Sequence, residues 1–224
     1  MSDLLRDYGL YFLIGQYPHG PLGGCVLTIL LAALGLLCSL PVGLAFGLAR
    51  VSTQRWISSP IAILTTAIRA TPLLLAVFWI YFFLPALTGH KTGQFSTMLI
   101  TLIIFNGVYI GEIVAAGIRA LPRGQYESAR SLGLSHAAAF RYVVLPQVGR
   151  RTLPSLINQF VGTIKDTSLG YIIGLTEVSW TASQINNEVL TKPVQVYLLL
   201  ALVYFVLCAG VSRLGGWVEG RWRG

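Results

Sequence analysis

Charge is what this chain has least of. Asp, Glu, Lys and Arg make up 11% of its 224 residues, against about 25% in a soluble globular domain. With 54% hydrophobic residues and a mean hydropathy of +0.70, the composition is that of a membrane protein. Acidic residues are the scarcer kind, eight against sixteen Lys and Arg, for a net charge of +8. Such a balance points to nucleic acid only where the cations cluster on one face of a soluble fold. Here they lie between apolar runs, so no nucleic-acid partner is expected. The three cysteines, Cys25, Cys38 and Cys208, sit inside apolar runs with no partner spacing, which argues against a disulfide framework or a metal site and for small apolar packing residues. His19, His90 and His136 are isolated and lack metal-ligand spacing. No glycine-rich phosphate loop followed by Lys-Ser/Thr occurs, so the chain is not expected to hydrolyse ATP or to be an enzyme. The first 20 residues lack a basic-then-apolar-then-small pattern, and the first apolar span is expected to direct insertion itself.

What is abundant is long apolar sequence. Residues 1–21 are mixed and aromatic-rich, with Tyr8, Tyr11, Phe12 and Tyr17; they read as an interfacial segment, with a loose tail as the alternative. A single membrane domain then spans residues 22–214, and residues 215–224 form a basic cytoplasmic tail. Five spans are predicted: Leu22–Ala49, Ile61–Leu84, Ser96–Ile118, Thr152–Val178 and Pro193–Leu214, each long enough for the ~20 residues a helix needs to cross. The fold class is therefore an all-α membrane protein. Gly43/Gly47 and Gly107/Gly111 are small-residue pairs suited to close helix contact, and Pro72 is expected to bend the second span.

Five spans place the termini on opposite sides, and the cations decide the orientation. With the N-terminus outside, Arg50, Arg55, Arg119, Arg123, Arg130, Arg141, Arg150, Arg151, Arg213, Arg221 and Arg223 face the cytoplasm, against Arg6, Lys91 and Lys192 outside. Eleven against three satisfies the positive-inside rule. The polar interruption between spans three and four, with Glu127 to Pro146 at its heart, therefore faces the cytoplasm. Its good helix formers predict two short helices joined near Gly133–Leu134, Gly133 supplying the left-handed joint.

That interruption reads Glu127-Ser128-Ala129, three residues, Gly133, nine residues, then Val143-Val144-Leu145-Pro146. It resembles the Glu-Ala-Ala…Gly…Ile-x-Leu-Pro motif of the permease subunits of bacterial ABC importers, with Ser128 for Ala and Val143 for Ile. The segments Arg69-Ala-Thr-Pro-Leu-Leu74, Tyr109-Ile-Gly-Glu-Ile113, Gly117–Gln125 and Lys165-Asp-Thr-Ser-Leu169 are similar to the polar-amino-acid branch, most of all the glutamate/aspartate permeases. The resemblance covers the chain from about Leu22 onward. It implies a type I importer permease of the bacterial inner membrane, with residues 123–146 as the cytoplasmic coupling segment. Glu127, Ser128, Ala129, Gly133, Leu145 and Pro146 would meet a separate ATPase, which would bind ATP and Mg in this chain's stead. It further implies a second permease subunit, self or related, two ATPase subunits and an extracytoplasmic amino-acid-binding protein.

Ionisable residues inside the spans are costly and mark candidate sites. Glu112 either lines the pathway or forms an ion pair with Arg119 or Arg69. Arg69 either snorkels to the inner headgroups or faces the pathway, where a guanidinium can hold a carboxylate through two hydrogen bonds. Asp166, with Thr167 and Ser168 beside it, makes span four the favoured pathway liner, a salt bridge between helices being the alternative. Asn106 and Asn158 read as interhelical hydrogen-bond partners. Arg69 and Lys165 against Glu112 and Asp166 leave no net charge bias for the cargo. The rival reading is a self-sufficient transporter or channel driven by an ion gradient. Such proteins often carry internal repeats, and none is visible here.

Overall fold

The computed structural model describes residues 2–223; the side chains of Arg123 and Arg223, counted above among the cytoplasmic cations, lie outside what it describes. Among the described residues every regular element is a helix: α1 (Ser2–Ile14), α2 (Gly24–Arg50), α3 (Arg55–Ala70), α4 (Leu73–Phe78), α5 (Leu84–Thr88), α6 (Gln94–Arg119), α7 (Arg123–Ser131), α8 (His136–Ala139), α9 (Leu145–Asp166), α10 (Val178–Val189) and α11 (Pro193–Arg223). Turns of π-helix at Trp79–Phe83 and Phe140–Val144 join α4 to α5 and α8 to α9, and a 3-10 turn, Thr167–Ile173, extends α9.

The centre of the bundle is the contact of α2 with α6. A Cβ added at Gly47 would stand 2.8 Å from Val114, one at Gly107 2.7 Å from Val42, and one at Gly111 2.8 Å from Phe46. Gly35 meets Leu102 in the same way. Only glycine lets two backbones come this close. The matched positions rise together along both helices, so α2 and α6 run parallel, and the chain between them must return to its starting side. α9 runs antiparallel to α6, with Gly117 against Thr152 and Asn106 against Gln159 and Thr163. α11 runs antiparallel to α9 in turn, Gly215 lying on Ile157 and Cys208 near the Val161 carbonyl. Arg50, Arg119, the start of α9 and the end of α11 thus share one end of the bundle.

Three helices among the described residues are long and apolar enough to cross a membrane: Gly24–Arg50, Gln94–Arg119 and Pro193–Arg221. The return passage is the pair Arg55–Ala70 and Leu73–Thr88, which reaches the same standard when taken together but is bent by 102° at the break. The bend follows from Pro72: the residue before a proline is driven out of the helical region, and Thr71 is extended, with φ −90° and ψ 129°. α9 falls short of that standard. Its 22 residues include Arg150, Arg151, Lys165 and Asp166, and it lies between α6 and α11 instead of facing lipid all round. The stretch predicted as a basic tail from residue 215 continues α11 as helix to Arg223.

At the other end, α1 and α10 fold over the bundle around Leu4, Phe12, Cys25, Val178, Ala182, Ile185, Val196 and Leu199. Glu177, fully buried, caps α10: its carboxylate accepts from the Ser179 and Trp180 amides at 2.9 and 3.0 Å and from the Tyr204 hydroxyl at 3.0 Å. The predicted fourth span ran through this residue, but the chain leaves the line of α9 at the 3-10 turn.

The glycine seam makes a direct prediction. Gly107→Val should cost about 1–3 kcal/mol, the range for overpacking a close contact, and lower the thermal unfolding midpoint of the purified protein. Gly210→Ala, where the new Cβ meets open space, should leave that midpoint unchanged or raise it. Equal midpoints for Gly107→Val and the parent would contradict the seam.

Candidate coupling knob and transport pathway

The polar interruption folds into a compact knob. α7 begins after Pro122 and closes at Leu132, where Gly133 takes φ +85°. The reversal is fixed by the Gly133 amide donating to the Arg130 carbonyl at 3.0 Å and the Leu134 amide to the Ala129 carbonyl at 3.2 Å. Ser135 caps α8 by accepting from the Ala138 amide at 3.2 Å. The Arg130 guanidinium also donates to the Leu134 carbonyl, and the Tyr126 hydroxyl meets His136 Nδ1, their rings stacked with centroids 6.2 Å apart. Ala129 and Ala139 point inward and are buried, while Glu127, Ser128 and Gly133 face out. Leu132 is 84% exposed at the tip, an apolar contact point that sequence reasoning passed over. Leu145 is half-buried, and Pro146 is exposed beside a small cleft of about 230 Å³ formed with Tyr142, Val143, Gln147 and Arg150.

The second constellation surrounds Glu112. Its Oε1 accepts from Arg50 Nε at 2.8 Å and from the Thr65 hydroxyl at 3.4 Å, and its Oε2 lies 3.8 Å from Arg69 Nη1. The Arg69 guanidinium stands 5.5 Å over the Tyr109 ring, a cation–π contact. Arg119 donates to the Arg50 carbonyl at 3.2 Å, so it braces the principal partner of Glu112. The sequence named Arg69 and Arg119 as ion-pair partners and left out Arg50, having placed it in a loop. The signal was present in the glycine pairs: seating Gly47 on Gly111 brings Arg50, three residues on, toward Glu112. Arg69, Tyr109, Glu112, Arg151, Thr152 and Ser155 line a groove of about 490 Å³. Its lining holds two guanidiniums, of Arg69 and Arg151, and one carboxylate, which already accepts from Arg50.

Asp166 and its neighbours are not part of this groove. Ser155 and Asp166 are eleven residues apart on α9, roughly 16 Å at 1.5 Å per residue. Asp166 ends α9 half-buried, Lys165 is exposed, Thr167 is buried with its hydroxyl donating to the Ile164 carbonyl at 2.7 Å, and Ser168 is half-buried. Between the two groups lies a buried polar joint: Asn106 Oδ1 accepts from Gln159 Nε2 at 2.8 Å and from the Thr163 hydroxyl at 3.0 Å. Asn106 Nδ2 is buried there with no acceptor among the described residues.

Arg50→Ala should destabilise the protein by roughly 1.5–3 kcal/mol, the range for a hydrogen bond to a charged group. The exchanged pair Arg50→Glu with Glu112→Arg should recover part of that loss in thermal unfolding. Additive losses in the exchanged pair would show that the two side chains do not interact.

Comparison with known proteins bears on both constellations. Residues 39–224 match the model of a family described as binding-protein-dependent transport system inner membrane component. The chain is 34% identical over 214 residues to the probable glutamine ABC transporter permease protein GlnP of Bacillus subtilis (strain 168), covering 93% of this chain and 98% of that protein. It is 31% identical over 218 residues to the inner membrane amino-acid ABC transporter permease protein YhdY of Escherichia coli (strain K12), covering 96% of this chain but spanning only 59% of that longer protein. A crystal structure of an amino acid ABC transporter with histidines superposes with a TM-score of 0.80 at 32% identity, over 88% of this chain and 92% of that one.

Proposed function

We propose a function from one premise: this chain belongs to the family of binding-protein-dependent transport system inner membrane components. It is a permease subunit of the polar-amino-acid ABC importers, a multi-pass protein of the inner membrane. Beyond that, we propose five crossings with the N-terminus outside: α2, the bent α3–α4 pair, α6, α9 with its 3-10 turn, and α11. The shared end of Arg50 and Arg119 is then cytoplasmic, in keeping with the positive-inside rule. Two such subunits, identical or related, enclose the pathway. A pair of separate ATPases carries the ATP and Mg, and their closure switches the permeases between inward- and outward-facing states while an external binding protein delivers the amino acid.

The observation that carries this reading is the knob. The motif residues Glu127, Ser128 and Gly133 stand on an exposed, internally braced elbow at the end of the bundle where the arginines gather. A rigid projection of this kind can transmit a push; a mobile loop cannot. In this reading Ala129 is the buried foot of α7, and Leu145 and Pro146 begin the helix that receives the push. Glu127→Ala and Gly133→Val should uncouple ATP hydrolysis from uptake while leaving the protein in the membrane. Valine at Gly133 must adopt a left-handed backbone costing of order 1–3 kcal/mol. Normal uptake by both variants would sink the docking assignment.

For the cargo we propose an acidic amino acid, glutamate or aspartate, passing Asp166, Thr167 and Ser168 and then the groove of Arg69 and Glu112. The support is electrostatic. Arg69 and Arg151 line the groove, and the one carboxylate among its lining residues is matched by Arg50. A screen of the twenty amino acids for uptake by the assembled importer tests this. Glutamate and aspartate should lead, and Arg69→Gln should raise KM for them more than for glutamine; a preference for basic cargo would overturn the assignment.

A further inference from the structure

The knob meets the bundle through two covalent routes, the end of α6 and the π-turn Phe140–Val144 that opens α9. The second route is soft. A π-turn is a local widening of the helix, and such turns gather at functional sites. If α7 and α8 move as one braced body, displacement of α7 can be taken up at this turn before it reaches α9. Among the described residues one polar contact crosses from knob to helix and bypasses the turn. Gln147 Nε2, in the first turn of α9, donates to Gln125 Oε1 on α7 at 3.2 Å and to the Val143 carbonyl at 2.9 Å. The first bond ties α9 to α7. The second closes over the widened turn itself.

We propose that Gln147, with Gln125, is a positioning pair that makes α9 follow α7. The pair touches neither cargo nor nucleotide. It acts by shortening the mechanical path from the docked knob to the helix that carries Thr152, Ser155, Gln159, Thr163 and Asp166. Amide groups suit this position: Gln125 is exposed and Gln147 half-buried, so the bond forms at the water-facing rim without the desolvation cost of a charged pair. The inference rests on the coupling role proposed above for this segment.

The test uses the complete importer in proteoliposomes, with its ATPases, partner permease and binding protein, and reads amino acid moved per ATP hydrolysed. Gln147→Leu keeps the size and helix propensity of the side chain and removes both hydrogen bonds. That ratio should fall about 2- to 10-fold, the factor set by loss of the one hydrogen bond that reaches α7, while ATPase co-purification and the thermal midpoint stay at parent values. The double variant Gln125→Glu with Gln147→Lys, which restores a link with opposite charges, should recover the ratio. An unchanged ratio in Gln147→Leu would overturn the proposal. A lost ATPase in that variant would also overturn it, by assigning Gln147 to the docking surface instead. Failure of the parent protein to co-purify any ATPase would overturn the coupling reading itself, and this inference with it.

Discussion

Everything else in the molecule is positioned by the approach of α2 to α6. Five glycines, Gly35, Gly43, Gly47, Gly107 and Gly111, remove the side chains that would hold the two backbones apart, and Leu102, Ile110, Val114, Val42 and Phe46 fill the space in return. In a bilayer this contact cannot rely on the hydrophobic effect, because lipid tails are as apolar as the side chains. It must come from close packing, which is lost quickly as a gap opens. A seam held this way has one register. That register sets Arg50 against Glu112, and Glu112 in turn holds α3 through Thr65 and Arg69. The polar groove is a consequence of a nonpolar contact less than one turn away.

A membrane protein carries few charges, and this one gathers most of its arginines at one end. Arg50, Arg69, Arg119 and Arg151 converge near the ends of α2, α3, α6 and α9, and each donates to a carboxylate or carbonyl or lies over a ring. Arg151 donates to the Ala120 carbonyl at 3.0 Å, and Arg119 to that of Arg50 at 3.2 Å. Helix ends leave carbonyls without intrahelical partners, and the guanidiniums supply donors there. Arg50, Arg119 and Arg151, counted in the sequence among the cations expected on the cytoplasmic side, thus also join the helices.

Much of this was legible in the sequence, and the reasons differ by element. α2 and α6 announced themselves because a lipid-facing helix must be apolar on nearly every side, and the bend at Pro72 follows from local sterics. The knob was legible because its turn chemistry is local, with Gly133 at the joint; the Ser135 cap was not read from the sequence. What the sequence hid was pairing between helices. Arg50 looked like a loop cation because nothing local relates residue 50 to residue 112. α9 looked like an apolar span with polar interruptions, whereas its polar residues are directed at neighbours, Gln159 and Thr163 at Asn106 and Thr152 beside Gly117. Glu177 was hidden for the same reason, its role depending on Tyr204, 27 residues on.

The polar joint at Asn106 gives α9 its place in the mechanics. Asn106 lies in the seam helix α6, and its carboxamide oxygen receives two donors from α9, while Nδ2 is buried without an acceptor among the described residues. A buried donor without a partner is costly, so this arrangement is held in place by its surroundings. Interhelical hydrogen bonds in membranes are individually modest, near 0.6 kcal/mol on average, because the polar groups find other partners when they separate. A joint of this strength fixes α9 against α6 and still lets it slide or turn under load. α9 thus meets the knob in its first turn through Gln147 and Gln125, is bonded at mid-length to Asn106 of the seam, and ends at Asp166 and the 3-10 turn. In the coupling role proposed for the knob, contacts that are firm at one end and weak in the middle suit such a helix to carry displacement along its length.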